Sequence, residues 1–382
     1  MHHHFIPTIS NQYNQKTSRP IHSHCHSSTI DNLGVKKQTP TQPNMSKPQI
    51  IDSHIHLFPA SHLNTLSWHS PSNPLGAQHS VNEYRQANNS QVRGFIFLET
   101  DRISSLTPPN WTHALDEVSF LARIAQGTPV PGEGHNPQDK DLCLGIIPWA
   151  PVPSGTDELA RYLDLVRERS GQSWGAVRGV RYLVQDKAAG TMLEEGFLEA
   201  LRYLGKQGLT FDLGVDARSG GLGQLREAVR MMERVNEGDG VTIIINHMCK
   251  PNLRLSGGEL RSHPEFLEWK DLIGKMAHAP KTYMKLSGAF SELLPLGEEV
   301  DIANIVESVR PWADVVFDTF GAERVMFGSD WPVCNVGGGG NDISWSKWRS
   351  VVEELLKQRE LSGEQKRGVW GDVALRAYGI VI

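Results

Sequence analysis

Short apolar runs alternate along the chain with longer stretches in which apolar residues recur every three or four positions. The first run, residues 50–56, reads Ile-Ile-Asp-Ser-His-Ile-His and predicts a strand. Side chains alternate across a strand, so Asp52, His54 and His56 are expected on one face and Ile51, Ser53 and Ile55 on the other. Further strands are predicted at 92–98, 142–147, 176–183, 209–215, 241–245, 283–286 and 324–327. The run Val241-Thr-Ile-Ile-Ile is dense in β-branched residues, as in strands covered on both faces of a parallel sheet.

Helical spacing predicts helices at 113–125, 156–171, 194–206, 222–235, 263–277 and 303–320. In the second of these Thr156 can cap the helix, and Leu159, Tyr162, Leu163 and Val166 form its apolar stripe. Pro311 marks a break or a fresh start within the last. Two more helices, 345–357 and 363–377, close the chain. Residues 57–91 and 101–141 hold long loops, where substrate selectivity is expected, and Gly337–Gly340 reads as a hinge or lid. Eight strands alternating with helices predict an α/β fold, a single-domain (β/α)8 TIM barrel over 49–382. No G-x-G-x-x-G follows a strand, which counts against a nucleotide-binding open sheet.

Residues 1–48 break the pattern. They are rich in Ser, Thr, Gln, Asn, Pro and His and lack apolar periodicity, so they are predicted to be a disordered low-complexity leader. Met45, just ahead of the first strand, is a candidate alternative start.

Composition narrows the function. Hydrophobic content of 39%, charged content of 21% and a net charge of −5 describe a soluble globular protein without a basic footprint, which excludes nucleic acid as the expected partner. No apolar run is long enough to span a bilayer. Cys25, Cys143, Cys249 and Cys334 show no C-x-x-C spacing, so a reducing, cytoplasmic setting is expected.

The chemistry collects where the strands end. Strand one ends in His54 and His56, and strand two in Glu99 and Asp101. Strand four carries Arg178 and Arg181, and strand five Asp212 and Asp216. Strand six ends in Asn246, His247 and Lys250, strand seven carries Lys285 and Ser287, and strand eight ends Gly328-Ser-Asp-Trp-Pro332. Catalytic groups of such barrels sit on that rim. Two imidazoles at a strand end suit a divalent metal, because neutral ring nitrogens bind zinc and its neighbours.

Four of these segments, Ile51-Asp-Ser-His-Ile-His, Ile245-Asn-His-Met-Cys-Lys-Pro, Met284-Lys-Leu-Ser-Gly and Val325-Met-Phe-Gly-Ser-Asp-Trp-Pro, resemble the amidohydrolase superfamily, and more narrowly its sugar-lactonase branch. The resemblance runs from about residue 49 to the closing Asp372-Val-Ala-Leu-Arg-Ala-Tyr-Gly. It implies one divalent metal ion, typically zinc, held by His54, His56 and Asp330, although some relatives work without metal. It also places His247 near the reacting carbonyl. Glu99 is a further metal ligand or a partner of a substrate hydroxyl. No strand-four lysine or strand-five histidine is present, which disfavours a two-metal centre, and Asn246 stands where many relatives carry an aspartate.

The implied reaction is hydrolysis of a small-molecule sugar lactone such as an aldono-1,4-lactone. Asp330 would move the proton, His247 would stabilise the oxyanion, and Arg178, Arg181, Lys285 and Trp331 would bind substrate. Two alternatives stand beside it: decarboxylation of an aromatic or unsaturated acid on the same barrel, and a non-catalytic scaffold.

Overall fold

A computed structural model describes residues 49–382, apart from 71, 237–239, 256 and 294–300. The predicted leader therefore lies outside the described residues. Among the described residues eight parallel strands form the frame: β1 (Ile50–Ile55), β2 (Val92–Leu98), β3 (Cys143–Ile147), β4 (Gly179–Arg181), β5 (Thr210–Leu213), β6 (Ile243–Ile245), β7 (Thr282–Leu286) and β8 (Val325–Phe327). Strands β1 to β3 pair in order, as do β4 to β8. Parallel bridges Ile146–Val177 and Trp149–Arg181 join β3 to β4, and Ile55–Trp331 joins β8 back to β1. The sheet is thus closed into a TIM-like barrel, which leaves no open strand edge.

The helices of eight residues or more among the described residues are α1 (Val81–Asn88), α2 (Thr112–Gln126), α3 (Thr156–Ser170), α4 (Glu195–Lys206), α5 (Leu222–Val235), α6 (Pro264–Ala277), α7 (Ile302–Phe320) and α8 (Ser344–Gln358), and the predicted closing helix forms as two short turns, Gly363–Arg367 and Val373–Ala377. Each lays an apolar stripe on the strands: Leu159, Tyr162, Leu163 and Val166 of α3 are all buried, as the spacing predicts. Helix α7 runs through Pro311 without a break, and Trp312 beside it packs against Phe266 and Trp269 of α6. Helix α1 falls where the pattern shows only a loop. Its signal is the pair Ser80 and Glu83, in which the Glu83 carboxylate accepts the Ser80 backbone N–H and closes the first turn.

A second apolar cluster fills the barrel. Ile51, Ile96, Leu98, Ile147, Ile244 and Met326 meet Val373, Ala374, Ala377, Tyr378 and Ile380 of the C-terminal segment. Burying each large apolar side chain stabilises the fold by roughly 1.5–3 kcal/mol. The C-terminal segment therefore seals one end of the barrel. Within the glycine run near 337–340, Gly338 is closely packed: a Cβ there would stand 2.8 Å from Phe290 and from Ser344, while nothing lies within 4 Å of one on Gly340.

Candidate active site

The open end of the barrel is assembled by the β1–β8 closure. The His56 backbone N–H donates to Trp331 O at 2.7 Å, and the Asp330 N–H donates to His54 O at 2.9 Å. These two bonds set Asp330 beside both histidines although it lies far along the chain. His54 Nε2 and His56 Nε2 are 3.2 Å apart, and each is 3.5 Å from Asp330 Oδ1. Ligands of a tetrahedral zinc ion at about 2.0–2.1 Å stand roughly 3.3–3.4 Å from one another, so the three separations fit one such ion. The three residues are buried and are able to hold a metal.

Protonation states agree with that fit. His56 Nδ1 lies 3.0 Å from the carbonyl oxygens of Leu98 and Glu99, which only accept, so Nδ1 carries a proton and Nε2 is the nitrogen left to face the trio. Burial, and then the Lys285 charge, hold His54 well below its ordinary pKa. Burial pushes the Asp330 carboxyl up, but His247, His56 and Lys250 together outweigh it and keep the group below its usual value. Neutral imidazoles and an ionised carboxylate are what a divalent cation requires.

His247 joins this group from the exit of β6. Its Nε2 is 3.7 Å from Asp330 Oδ1, and its Nδ1 is 2.9 Å from Ser287 Oγ. Burial lowers its pKa to about 3, which keeps the ring neutral. The backbone is left-handed at His247 and Asp330, with φ of 55° and 61°, a strained state that native folds concentrate at functional sites. Gly288 makes room for the ring: a Cβ there would lie 2.5 Å from His247 Nδ1.

The remaining predicted residues divide. Glu99 does not join the trio. Its Oε1 accepts from Arg181 Nε at 2.6 Å and its Oε2 from the Asp101 N–H at 2.5 Å, so both oxygens are engaged. Arg181 also donates to Glu99 O and faces the cavity. Lys285 is fully buried beneath the site, donating to Asp212 at 2.7 Å, and is not open to substrate. Trp331 is equally buried; its indole donates to Asn341 Oδ1 and its ring packs against His79 and Tyr84. Arg178 sits at the entry of β4, at the opposite end of the barrel, beside Trp174, Thr210 and Tyr378.

Asp52 does not share the histidine face. Its carboxylate accepts from Tyr84 Oη of α1, from Trp345 Nε1 of α8 and from the Ser329 N–H, and so ties the helical layer to β8. The register of β1 shifts between Asp52 and Ile55, and that irregularity breaks the strict alternation.

A cavity of about 510 Å³ opens above the trio, with His56, His247 and Asp330 in its wall. Trp68, Leu183 and Val336 supply apolar surface, and Lys250 and Gln185 supply polar groups. Trp68 and Leu183 were not expected there; Trp68 is held by an indole bond to Thr100 O at 2.9 Å. Its loop position was visible in the chain, but its direction depends on the fold of 57–91. Among the described residues no helix is long and apolar enough to cross a membrane.

Comparison with known proteins agrees with this geometry. The amidohydrolase family model matches residues 144–380. The L-rhamnono-gamma-lactonase of Scheffersomyces stipitis is 34% identical over 343 residues, covering 88% of this chain and all of the relative. An L-fucono-1,5-lactonase of Burkholderia ambifaria is 28% identical, covering 62% of this chain and 70% of its own. Among solved structures, an amidohydrolase from Burkholderia multivorans crystallised with bound zinc superposes with a TM-score of 0.66 at 22% identity, covering 87% of this chain and all of that one, a likeness of fold. Matched by the family model across most of its barrel and aligned along the full length of a 34% identical relative, the chain belongs to the amidohydrolase family.

Proposed function

We propose that the protein hydrolyses a sugar lactone, of the aldono-1,4-lactone kind, to the open-chain acid, with one divalent metal ion, zinc by preference, held by His54, His56 and Asp330. The observation that carries this reading is the trio itself, with its ligand atoms spaced for one ion at the base of a cavity. The full-length likeness to a rhamnonolactonase points to the substrate class.

A bound divalent ion supplies Lewis acidity, polarising a carbonyl and lowering the pKa of water to roughly 7. Asp330, ionised at neutral pH, accepts the proton of the attacking water and returns it to the departing ring oxygen. His247 is held by the bond between its Nδ1 and the Ser287 hydroxyl, and in the tautomer in which that hydroxyl donates, Nε2–H is the donor for the developing oxyanion. Arg181, fixed by Glu99, donates to substrate hydroxyls from the cavity wall. Trp68, Leu183 and Val336 take the carbon face of the ring, a surface suited to a lactone with an apolar substituent. Decarboxylation has no observation in its favour: β5 directs Asp212 to Lys285 and Tyr378, below the trio.

A panel of aldono-1,4-lactones followed by acid release tests the assignment. Turnover of at least one sugar lactone is expected. No lactone turnover, together with carbon dioxide release from an aromatic acid, would overturn it.

A further inference from the structure

The sealed end of the barrel carries a second cavity, also of about 510 Å³. Arg178, Arg167 and Arg376 stand in its wall, and among the described residues Asp164 is the one carboxylate there. Three guanidinium groups against one carboxylate leave the cavity positive. No step of the proposed reaction uses it.

Two of its polar groups are brought side by side by the strands. Arg178 precedes β4, Thr210 opens β5, and the Thr210 N–H donates to Arg178 O at 3.0 Å. Gly179 leaves room for the Thr210 hydroxyl, since a Cβ at that position would collide with Oγ1. Thr210 is buried, and among the described residues neither its Oγ1 nor the buried Nε of Arg178 has a hydrogen-bond partner. Native folds seldom leave such atoms bare, because each has given up water without gaining a partner.

Arg178 also lacks a counter-charge. Buried arginines elsewhere in the chain, Arg102 and Arg181, each pair with a glutamate. Burial lowers the Arg178 pKa, and no acidic neighbour offsets the shift. The two exposed arginines are similarly available. Arg167 lies over the Trp174 ring with its guanidinium carbon 4.7 Å from the centroid, and Arg376 gives one nitrogen to Glu323 O. An anion in the cavity would meet the open donors of all three. A guanidinium presents a planar fork that donates two parallel N–H bonds to one oxyanion, and a neighbouring hydroxyl adds a third.

We propose that this cavity is a second ligand site, which takes an oxyanion, the phosphoryl or carboxylate group of a small metabolite, on Arg178 and the Thr210 hydroxyl, with Arg167 and Arg376 at its mouth. The inference does not depend on the lactone or metal readings given above. It gives Arg178 a ligand at the end of the barrel away from the trio.

Calorimetric titration of the purified full chain at fixed ionic strength, with inorganic phosphate and separately with malonate, tests the site. Binding of at least one probe is expected. Tighter phosphate would point to a phosphoryl ligand, and tighter malonate to a carboxylate. Arg178→Met should weaken the binding roughly ten- to a hundredfold, the usual worth of a hydrogen bond to a charged group. Thr210→Val keeps the shape of the side chain and should weaken it about tenfold. If Arg178→Met does not fold, Thr210→Val carries the test. No binding of either probe at millimolar concentration, or binding that the folded variants leave within twofold of wild type, would overturn the site.

Discussion

The two ends of the barrel use similar residues to opposite effect, and β4 shows the contrast within four positions. Arg181 leaves the strand at the open end, is pinned by Glu99 and faces the cavity. Arg178 enters at the sealed end, where among the described residues its side chain makes no hydrogen bond or ion pair, and its buried Nε has no partner. At the open end polar groups are locked in pairs around a cavity. At the sealed end apolar residues of the C-terminal segment cover the interior, and Tyr378 is the polar group that reaches in. Chemistry in this fold is decided by the end of a strand on which a residue falls, more than by residue type.

The contrast can be broken by substitution. Asp330→Asn should have the largest effect, lowering kcat/KM for lactone hydrolysis by roughly 10²–10⁴ with an unchanged circular dichroism spectrum. Arg181→Met should come next. It strands the Glu99 carboxylate in a buried site and should cost about 3–5 kcal/mol in urea unfolding, with activity lost as well. The matching change at the sealed end, Arg178→Met, should stay within about 0.5 kcal/mol and leave kcat/KM unchanged. If the two arginine variants behave alike, the distinction between the ends fails.

Smaller effects sharpen it. Trp68→Ala should raise KM about fivefold, whereas Trp331→Phe should cost about 1 kcal/mol of stability and leave KM alone, since its indole donates to Asn341 and not into the cavity. Steady-state kinetics on both variants checks this. The smallest effect concerns His62, in the loop after β1, whose pKa burial, and then the Arg102 charge, lower to about 4. An ordinary histidine in the unfolded chain titrates near 6.5, so between these values the unfolded state binds more protons and stability falls as pH drops. His62→Gln should flatten the dependence of melting temperature on pH between about 6.5 and 4, and an unaltered slope would contradict that reading.

Much of this was legible in the chain. Apolar periodicity located the eight strands, and His54, His56, His247 and Asp330 do converge. The misplacements have physical causes. Strand four was read as 176–183, which put both arginines inside it; the observed strand is three residues long and leaves Arg178 at its entry. Asp52 was put on the histidine face by strict alternation, which the irregular register of β1 breaks. Lys285 and Trp331 lie within the strand-end motifs, where a cationic donor and an aromatic face read as substrate contacts. Burial hides both, and burial comes from packing between distant elements that local pattern does not encode. Helix α1 is not legible in the apolar pattern because it is short and follows a stretch rich in Ser, Asn and Pro.

The most direct test is a zinc titration of metal-depleted protein, followed by acid release from a sugar 1,4-lactone. The account predicts that activity is absent without metal, rises linearly with added zinc and breaks at one equivalent, and that His56→Ala shows no such rise. Full activity in the metal-depleted protein, or a His56→Ala variant as active as wild type, would contradict it.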